Sequence, residues 1–300
     1  MEQEWQQVSR RRRRSLRPRA TGSSSNEGEE VVEPVPEVSF EKQQRIILRV
    51  RAIADVLRES NLLKDALGAV VEHFELNAVK TRVDKESEGV DVEVETNNRL
   101  LLVGYGLGSF CASSNAVHQL GFLVALKAAL EKETPAAEKF ATNQHCAEIF
   151  DPAMNKSDAE ITEHFQLTVI QENEHGRRRV ASNTVFFMPH CGKSLYQNVI
   201  ACNWGPAIKH LVVIGNSFSA YGDRVLASKE REELLLVTLL PYLKEVPLSC
   251  GVSKTHDEFT RYEAAFNDLS VHTFPSELLD RARMDEKLTA KMVAIADLAK

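Results

Sequence analysis

The sequence predicts an α/β protein with a doubly wound, mostly parallel sheet of the Rossmann or methyltransferase type, preceded by helices. Short apolar runs alternate with longer segments of helical periodicity through most of the 300 residues. The first apolar run ends in a turn that contains Gly104, Gly106 and Gly108, and a helical pattern follows this turn directly. Strands and helices that alternate in this way form parallel sheets with both faces covered, joined by right-handed crossovers. A hydrophobic fraction of 43% is sufficient for the core that such a sheet needs.

A disordered tail is predicted for residues 1–38, ahead of an α/β domain that comprises residues 39–300. The first twenty residues contain seven arginines and two glutamates, a net charge of +5, so the other 280 residues have a net charge of −11. The run Arg10–Arg14 is typical of a segment that binds an anionic partner or an import receptor, with a solvated tail as the alternative. The acidic remainder argues against a broad nucleic-acid surface on the folded part.

Two helices are predicted between the tail and the sheet, at residues 40–58 and 62–76. Both segments place apolar side chains at helical spacing, namely Ile46, Ile47, Val50, Ile53, Ala54 and Leu57 in the first and Leu63, Leu67, Val70, Val71 and Phe74 in the second. Residues 82–98 alternate valines with acidic residues, a pattern that indicates a loop or an edge strand.

Six apolar runs are predicted to be strands of the sheet: residues 99–103, 147–150, 166–171, 184–188, 210–214 and 269–273. Three of these runs end in residues that favour turns, Asp151-Pro152, Pro189 and Gly215. Five segments of helical periodicity are predicted to cover the sheet: residues 113–131, 157–165, 195–204, 229–243 and 276–298. Ser157 is a suitable N-cap for the second of these helices.

Polar residues follow the predicted strands at the place where parallel sheets bind ligands, outside the carboxyl ends of the strands. These candidate binding residues are Gly104, Gly106, Gly108, Asp151, His190, Asn216 and Ser217. A glycine turn lets a ligand approach the backbone, and the helix after it offers free N–H groups. An acid after the second strand is placed to hold a ribose hydroxyl. We therefore expect one crevice for a nucleoside-type small ligand, with Asp151 and His190 on opposite sides of the glycine turn.

Each candidate residue also has a purely structural interpretation. Asp151 precedes Pro152 and suits a turn in which its side chain bonds to the backbone. His190 can hydrogen-bond to the backbone alone, and Asn216 and Ser217 can cap the segment after them. His190 could serve as a general base, yet no nucleophile in a recognisable turn accompanies it. The sequence therefore favours a pocket over a reaction, and catalytic residues are not assigned.

The five cysteines are scattered without Cys-x-x-Cys spacing: Cys111, Cys146, Cys191, Cys202 and Cys250. Scattered cysteines in an odd number are typical of a cytoplasmic protein whose thiols are reduced. The arginine run indicates the nucleus as a further location. No metal site is expected, and the sequence does not identify a cofactor. The longest apolar run, residues 234–240, is too short to span a bilayer, so no membrane span is expected.

Six short segments lie at or near the predicted strand ends: residues 106–110, 119–120, 151–152, 188–191, 196–198 and 214–217. Together they resemble the sensitivity-to-red-light-reduced (SRR-like) family over roughly residues 40–275, most specifically in the Pro-His-Cys and Gly-Asn-Ser blocks. Trp5 with the arginine run resembles the vertebrate branch. The resemblance implies a regulatory protein, linked to circadian clock gene expression and to heme biosynthesis. The resemblance implies no established catalytic residues and no established cofactor.

The glycine turn also resembles motif one of S-adenosylmethionine methyltransferases, through Gly104, Gly106, Gly108 and Asp151. Leu102 stands where that motif usually has an acid, two residues before its first glycine. The alternatives to a regulator are therefore a nucleoside-cofactor enzyme of methyltransferase type and an interaction scaffold without a ligand, because a fold does not imply a function. A regulator or a scaffold implies protein partners.

Overall fold

The centre of the fold is a seven-stranded sheet. The computed structural model describes residues 36–76, 100–133, 147–224 and 234–297, all within the compact unit that spans Glu33–Lys300. The strands are β1 (Leu101–Tyr105), β2 (Ala147–Phe150), β3 (Thr168–Val169), β4 (Thr184–Met188), β5 (Leu211–Asn216), β6 (Lys244–Pro247) and β7 (Leu269–Thr273). Their order in the sheet is β3-β2-β1-β4-β5-β7-β6. Strands β1 to β5 are parallel, and β7 is antiparallel to its neighbours β5 and β6. The predicted α/β fold class is confirmed.

Helices cover both faces of the sheet. They are α1 (Phe40–Arg58), α2 (Asn61–His73), α3 (Ser114–Glu133), α4 (Lys156–His164), α5 (Lys193–Cys202), α6 (Phe218–Arg224), α7 (Leu235–Leu239), α8 (Phe259–Phe266), α9 (Ser276–Arg283) and α10 (Glu286–Asp297). Short 3-10 helices occupy Pro206–His210 and Leu240–Tyr242. Among the helices that the structure describes, none has the length and apolar character to cross a membrane.

Alternate residues of the strands point into two separate cores. Val185 and Phe187 of β4 pack with α1, α2, α3 and α8, whereas Phe186 and Met188 pack with α5, α7, α9 and α10. All four side chains are fully buried. A strand with both faces buried has apolar residues at every position, which explains why the parallel strands appear in the sequence as continuous apolar runs.

The residues just ahead of α1 contact the start of α4. The N–H of Val38 donates to Oγ of Ser157 at 3.1 Å, and Nδ2 of Asn155 donates to the carbonyl of Pro36 at 3.0 Å. Ser39 caps α1 through its side chain. The sequence places all residues up to 38 in a tail, whereas the structure shows that the last of them already contact the domain.

Two truncated chains should distinguish residues 1–35, which we expect to be dispensable for folding, from residues 36–39, which contact the domain. We expect a chain that begins at Pro36 to melt within about 2–4 °C of the full chain, which corresponds to roughly 1 kcal/mol in a domain of this size. A chain that begins at Phe40 lacks two hydrogen bonds and the N-cap, and should lose about 1–3 kcal/mol. Calorimetry of the three chains tests both statements. A large loss on removal of residues 1–35 would contradict the prediction that they are dispensable for folding.

The carboxyl-terminal third differs from the sequence prediction in two helices. A helix was predicted over residues 229–243, but α7 ends at Leu239 because Pro241 lacks the N–H that a continuing helix needs; residues 225–233 lie outside the described residues. The single helix predicted over residues 276–298 is divided into α9 and α10. Asp285 causes this break, since its Oδ1 accepts the N–H of Leu288 at 3.0 Å and so begins a new helix.

One edge strand and two helices, α6 and α8, were not predicted from the sequence. Strand β6 has only four residues and ends in Pro247, so it lacks the apolar run that marks the other strands. Helix α8 buries Tyr262, Ala265 and Phe266, a spacing that does indicate a helix. The predicted loop or edge strand at residues 82–98 lies outside the described residues.

Candidate functional site

A cavity of about 390 Å³ lies at the carboxyl edge of the sheet, and we call it the strand-end cavity. The loops after β1, β2 and β4 line one part of it, with Gly106, Leu107, Gly108, Asp151, Pro189 and His190. Helix α3 and the carboxyl end of α8 line the rest, with Asn115, Gln119, Ala264 and Asn267. Because β1 lies between β2 and β4, Asp151 and His190 follow strands on opposite sides of the glycine turn.

Four of the seven candidate residues predicted from the sequence line this cavity: Gly106, Gly108, Asp151 and His190. Asn216 supports the cavity without lining it. Its Oδ1 accepts the backbone N–H of His190 at 2.7 Å, and only 8% of Asn216 is exposed. The structure therefore brings five of the seven residues into one connected arrangement.

Gly104 and Ser217 have other surroundings. Gly104 lies inside β1, in register with Ile149 of β2 and Phe187 of β4, so the glycine turn begins only at Gly106. Ser217 precedes α6, and its Oγ accepts the N–H of Ala220 at 3.1 Å. Neither Gly104 nor Ser217 lines the strand-end cavity, and Ser217 acts as a helix cap.

The glycine turn depends on backbone conformations that other residues rarely adopt. Gly106 and Gly108 have φ angles of 72° and 81°, in the left-handed region. At Gly106 the space is also occupied, since a Cβ there would lie 2.5 Å from Sγ of Cys191. The N–H of Gly106 donates to the carbonyl of Phe150 at 3.1 Å. These glycines thus hold the loops after β1, β2 and β4 in direct contact.

The carboxylate of Asp151 joins the end of β2 to the glycine turn. Its Oδ2 accepts the N–H of Gly108 at 2.7 Å, and its Oδ1 accepts the N–H of Ala153 at 2.7 Å. Hydrogen bonds from N–H groups to a carboxylate are stronger than those to a neutral acceptor. Asp151 therefore forms the turn that its structural interpretation describes, and it also lines the cavity.

Three side chains bind the carboxyl end of α8. The Nε2–H of His190 donates to the carbonyl of Ala265 at 3.0 Å, and Nε2 of Gln119 donates to the same oxygen at 3.2 Å. Nδ2 of Asn115 donates to the carbonyl of Ala264 at 3.2 Å. The last carbonyls of a helix have no partner within it, so these side chains satisfy acceptors that would otherwise need water. They also fix α8 against α3 and the loop after β4.

A buried hydrogen-bond network holds the loop after β4 against the end of β5. The hydroxyl of Tyr196 donates to the carbonyl of Met188 and accepts the N–H of Asn216, the latter at 2.9 Å. Nδ2 of Asn216 is 3.3 Å from the carbonyl of Cys191 and 3.2 Å from the hydroxyl of Tyr221, to which it donates. His190 has a φ of 56° and depends on this network for its position.

Cys191 has a structural environment rather than a reactive one. Burial raises the pKa of its thiol to about 12, and the nearby carboxylate of Asp151 adds to the shift. A thiol with this pKa stays protonated and is a poor nucleophile at neutral pH. Its Sγ lies 3.4 Å from the carbonyl of Tyr105, to which it donates. The thiol therefore packs against the glycine turn.

The described residues include no group of three or more His, Cys, Asp or Glu that could hold a metal ion. Four of the five cysteines are described, and all four are free: Cys111, Cys191, Cys202 and Cys250. Cys146 lies outside the described residues. The strand-end cavity itself offers amides, one carboxylate, one imidazole and backbone groups, which suit hydrogen bonding to a small polar ligand.

Sequence reasoning missed the side of the cavity opposite the strand ends. Asn115 and Gln119 are one helical turn apart on α3, so they face the same direction, and this spacing was available in the sequence. No comparable pattern in the sequence indicates that Ala264 and Asn267 line the cavity. They reach the cavity because α8, which begins beyond β6, lies across the carboxyl edge of the sheet.

Three known proteins and one family model are similar to this chain in sequence. The SRR1 domain matches residues 71–273. A mouse protein named SRR1-like protein is 29% identical over 257 residues, which cover 81% of this chain and 93% of the mouse protein. The Arabidopsis thaliana protein named SENSITIVITY TO RED LIGHT REDUCED 1 is 27% identical over 63% of this chain and 64% of its own length. A Drosophila melanogaster SRR1-like protein is 26% identical over 59% of this chain and 56% of its own length. No solved structure is significantly similar to the chain.

Proposed function

Because the chain belongs to the SRR1 domain family, we propose that it is a regulatory protein whose α/β domain responds to a nucleoside-type ligand in the strand-end cavity. The regulated processes that we propose are heme biosynthesis and circadian clock gene expression, as the sequence resemblance implies. The Arabidopsis relative is named for reduced sensitivity to red light, which is itself a regulatory response.

One observation supports binding over catalysis. Among the described residues that line the cavity, none is a serine, threonine, cysteine, lysine or tyrosine that could act as a nucleophile beside His190. Asp151 and His190 themselves hold the backbone, since both oxygens of Asp151 accept N–H groups and Nε2 of His190 donates to the carbonyl of Ala265. Side chains that hold several loops together are better suited to bind a ligand and transmit its effect to those loops than to transfer protons.

A cavity-filling variant tests ligand binding. Ala264 lines the cavity and is exposed, so Ala264→Trp should fill the space without disturbing the core. Glu263→Trp is the matched control, because Glu263 is the exposed neighbour on the same helix and does not line the cavity. A ligand at 100 times its Kd stabilises a protein by about 2.7 kcal/mol. Adenosine, S-adenosylmethionine and heme should therefore be compared by thermal shift on both variants.

We expect adenosine or S-adenosylmethionine to stabilise the wild type and Glu263→Trp, but not Ala264→Trp. If none of the three compounds stabilises the wild type, the interaction scaffold without a ligand becomes the better proposal. If heme alone stabilises all three proteins equally, heme binds outside the strand-end cavity.

The regulatory part requires a test in cells. Cells that lack the protein should show altered transcripts for heme biosynthesis and for a circadian reporter. Restored Glu263→Trp should return both to normal, whereas Ala264→Trp should not. Equal rescue by the two variants would separate the regulatory function from the cavity and contradict the proposed link between them.

A second candidate function is methyl transfer from S-adenosylmethionine. The observation in its favour is the glycine turn between β1 and α3, with Asp151 directly after β2 at the same edge of a doubly wound sheet. Incubation with S-adenosylmethionine labelled in the methyl group should then label a product in cell extract. The label must disappear with Ala264→Trp and persist with Glu263→Trp.

The arginine run at Arg10–Arg14 lies outside the described residues, and we propose that it acts by charge. It would direct the protein to the nucleus through an import receptor, or bind an anionic partner, and the protein would otherwise reside in the cytoplasm. Replacement of all five arginines by glutamine should shift a fluorescent fusion from nucleus to cytoplasm, or abolish an association that weakens with salt. Replacement by lysine is the control that preserves the charge. Unchanged location and binding in both variants would favour the solvated tail.

A further inference from the structure

The strand-end cavity has an electrostatic character that restricts its ligands. Asp151 supplies a negative charge to the cavity. Among the described residues that line it, none is lysine or arginine. Its lining includes three uncharged amides, of which those of Asn115 and Gln119 already donate to carbonyls of α8. The exposed amide of Asn267 suits the edge of a purine base. A phosphate group in this cavity would meet a carboxylate without a counter-charge.

The glycine turn is already occupied by an anion of the protein itself. In nucleotide sites, the N–H groups of such a turn and of the following helix bind the phosphates. Here the N–H of Gly108 donates to Asp151 at 2.7 Å, and the N–H of Gly106 donates to the carbonyl of Phe150. Asp151 thus takes a donor that a phosphate would require.

The ends of two helices meet at the cavity, the amino end of α3 at Asn115 and the carboxyl end of α8 at Ala264 and Asn267. Their partial charges are opposite in sign, so the carboxylate of Asp151 supplies the excess negative charge. The carboxyl end of a helix has a partial negative charge because its last carbonyls point outward. Asn115, Gln119 and His190 donate hydrogen bonds to these carbonyls.

From these three observations we infer that the strand-end cavity takes a nucleoside without phosphate, neutral or positively charged at its 5′ position. This inference rests on the proposed function, since it specifies the ligand of the same cavity. Mononucleotides, dinucleotides and other phosphate-bearing compounds should bind more weakly, because Asp151 repels a phosphate and already accepts the N–H of Gly108.

Three compounds that differ only at the 5′ position provide the test: 5′-amino-5′-deoxyadenosine, adenosine and adenosine monophosphate. Titration calorimetry on the full chain should give at least about tenfold weaker binding for the monophosphate than for adenosine. The amino compound should bind as tightly as adenosine or more tightly. Salt screens charge repulsion, so raising the ionic strength should improve the affinity of the monophosphate and leave that of adenosine unchanged.

The Asp151→Asn variant identifies the source of the discrimination. It removes the charge while keeping a side-chain oxygen for one of the two N–H groups, and the preference for adenosine over its monophosphate should fall severalfold. Asp65→Asn is the control, because it removes the same charge from an exposed position of α2 outside the cavity. Equal or tighter binding of the monophosphate by the wild type would overturn the inference but leave the proposed ligand site intact. If none of the three compounds binds, the proposed site fails and the inference fails with it.

Discussion

Gly106→Val is expected to destabilise the protein by about 2–6 kcal/mol, a large part of the total stability of a domain. Two costs add at this position. Valine is strained at a φ of 72°, which accounts for about 1–3 kcal/mol. Its Cβ would lie 2.5 Å from Sγ of Cys191, and overpacking of this kind costs a further 1–3 kcal/mol or so. Urea denaturation measures the sum.

Two further variants separate these costs. Gly68→Ala is the control, since Gly68 lies in α2 with no atom within 4 Å of the added Cβ, and it should gain about 0.5–1 kcal/mol. Gly106→Ala combined with Cys191→Ala removes the overlap and leaves the backbone strain alone. The double variant should therefore be more stable than the sum of the single changes predicts. If Gly106→Val unfolds at the wild-type urea concentration, the description of the turn is wrong.

Tyr196→Phe is expected to cost about 2–6 kcal/mol, although it removes only one oxygen atom. The hydroxyl accepts the N–H of Asn216 and donates to the carbonyl of Met188, both in the buried interior. Its loss leaves a donor and an acceptor without partners, and each costs about 1–3 kcal/mol when buried. Tyr242→Phe is the matched control, because its hydroxyl makes a partly exposed bond to Asp285 at 2.9 Å. That change should cost less than about 1 kcal/mol.

Tyr196→Phe should also affect the cavity, because Asn216 fixes the backbone of His190. Stabilisation by adenosine should decrease in this variant and remain normal in Tyr242→Phe. Stability equal to that of the control variant would show that water replaces the hydroxyl and that the network does not hold the loop.

Strands β1, β4, β5 and β7 could be predicted from the sequence because both of their faces are buried, and this gives a distinct apolar run. The carboxyl-edge rule then placed Asp151 and His190 beside the glycine turn without any coordinates. The rule does not extend to the partners of their side chains. That Asp151 accepts N–H groups, and that His190 binds α8, depends on contacts between segments far apart in the chain.

The remaining differences have local causes. Strand β6 is short and partly exposed, so its composition does not distinguish it from a loop. Helix α7 ends early because of Pro241, whereas the prediction for this segment used only the periodicity of its apolar residues. The direction of β7 follows from the connection through α8, and no property of residues 269–273 themselves distinguishes an antiparallel strand from a parallel one.

Because β7 lies between β5 and β6, it determines when the sheet can be completed while the chain is being synthesised. Until Leu269–Thr273 leave the ribosome, the outer edge of β5 has unpaired N–H and C=O groups along a strand of buried apolar residues. β6 emerges from the ribosome earlier, but it pairs with β7 and therefore joins the sheet only after β7 has formed. An open apolar edge of this kind is a template for aggregation. The nascent chain therefore exposes this edge until its last strand is available, and a stop codon before that strand would leave the edge of β5 permanently open.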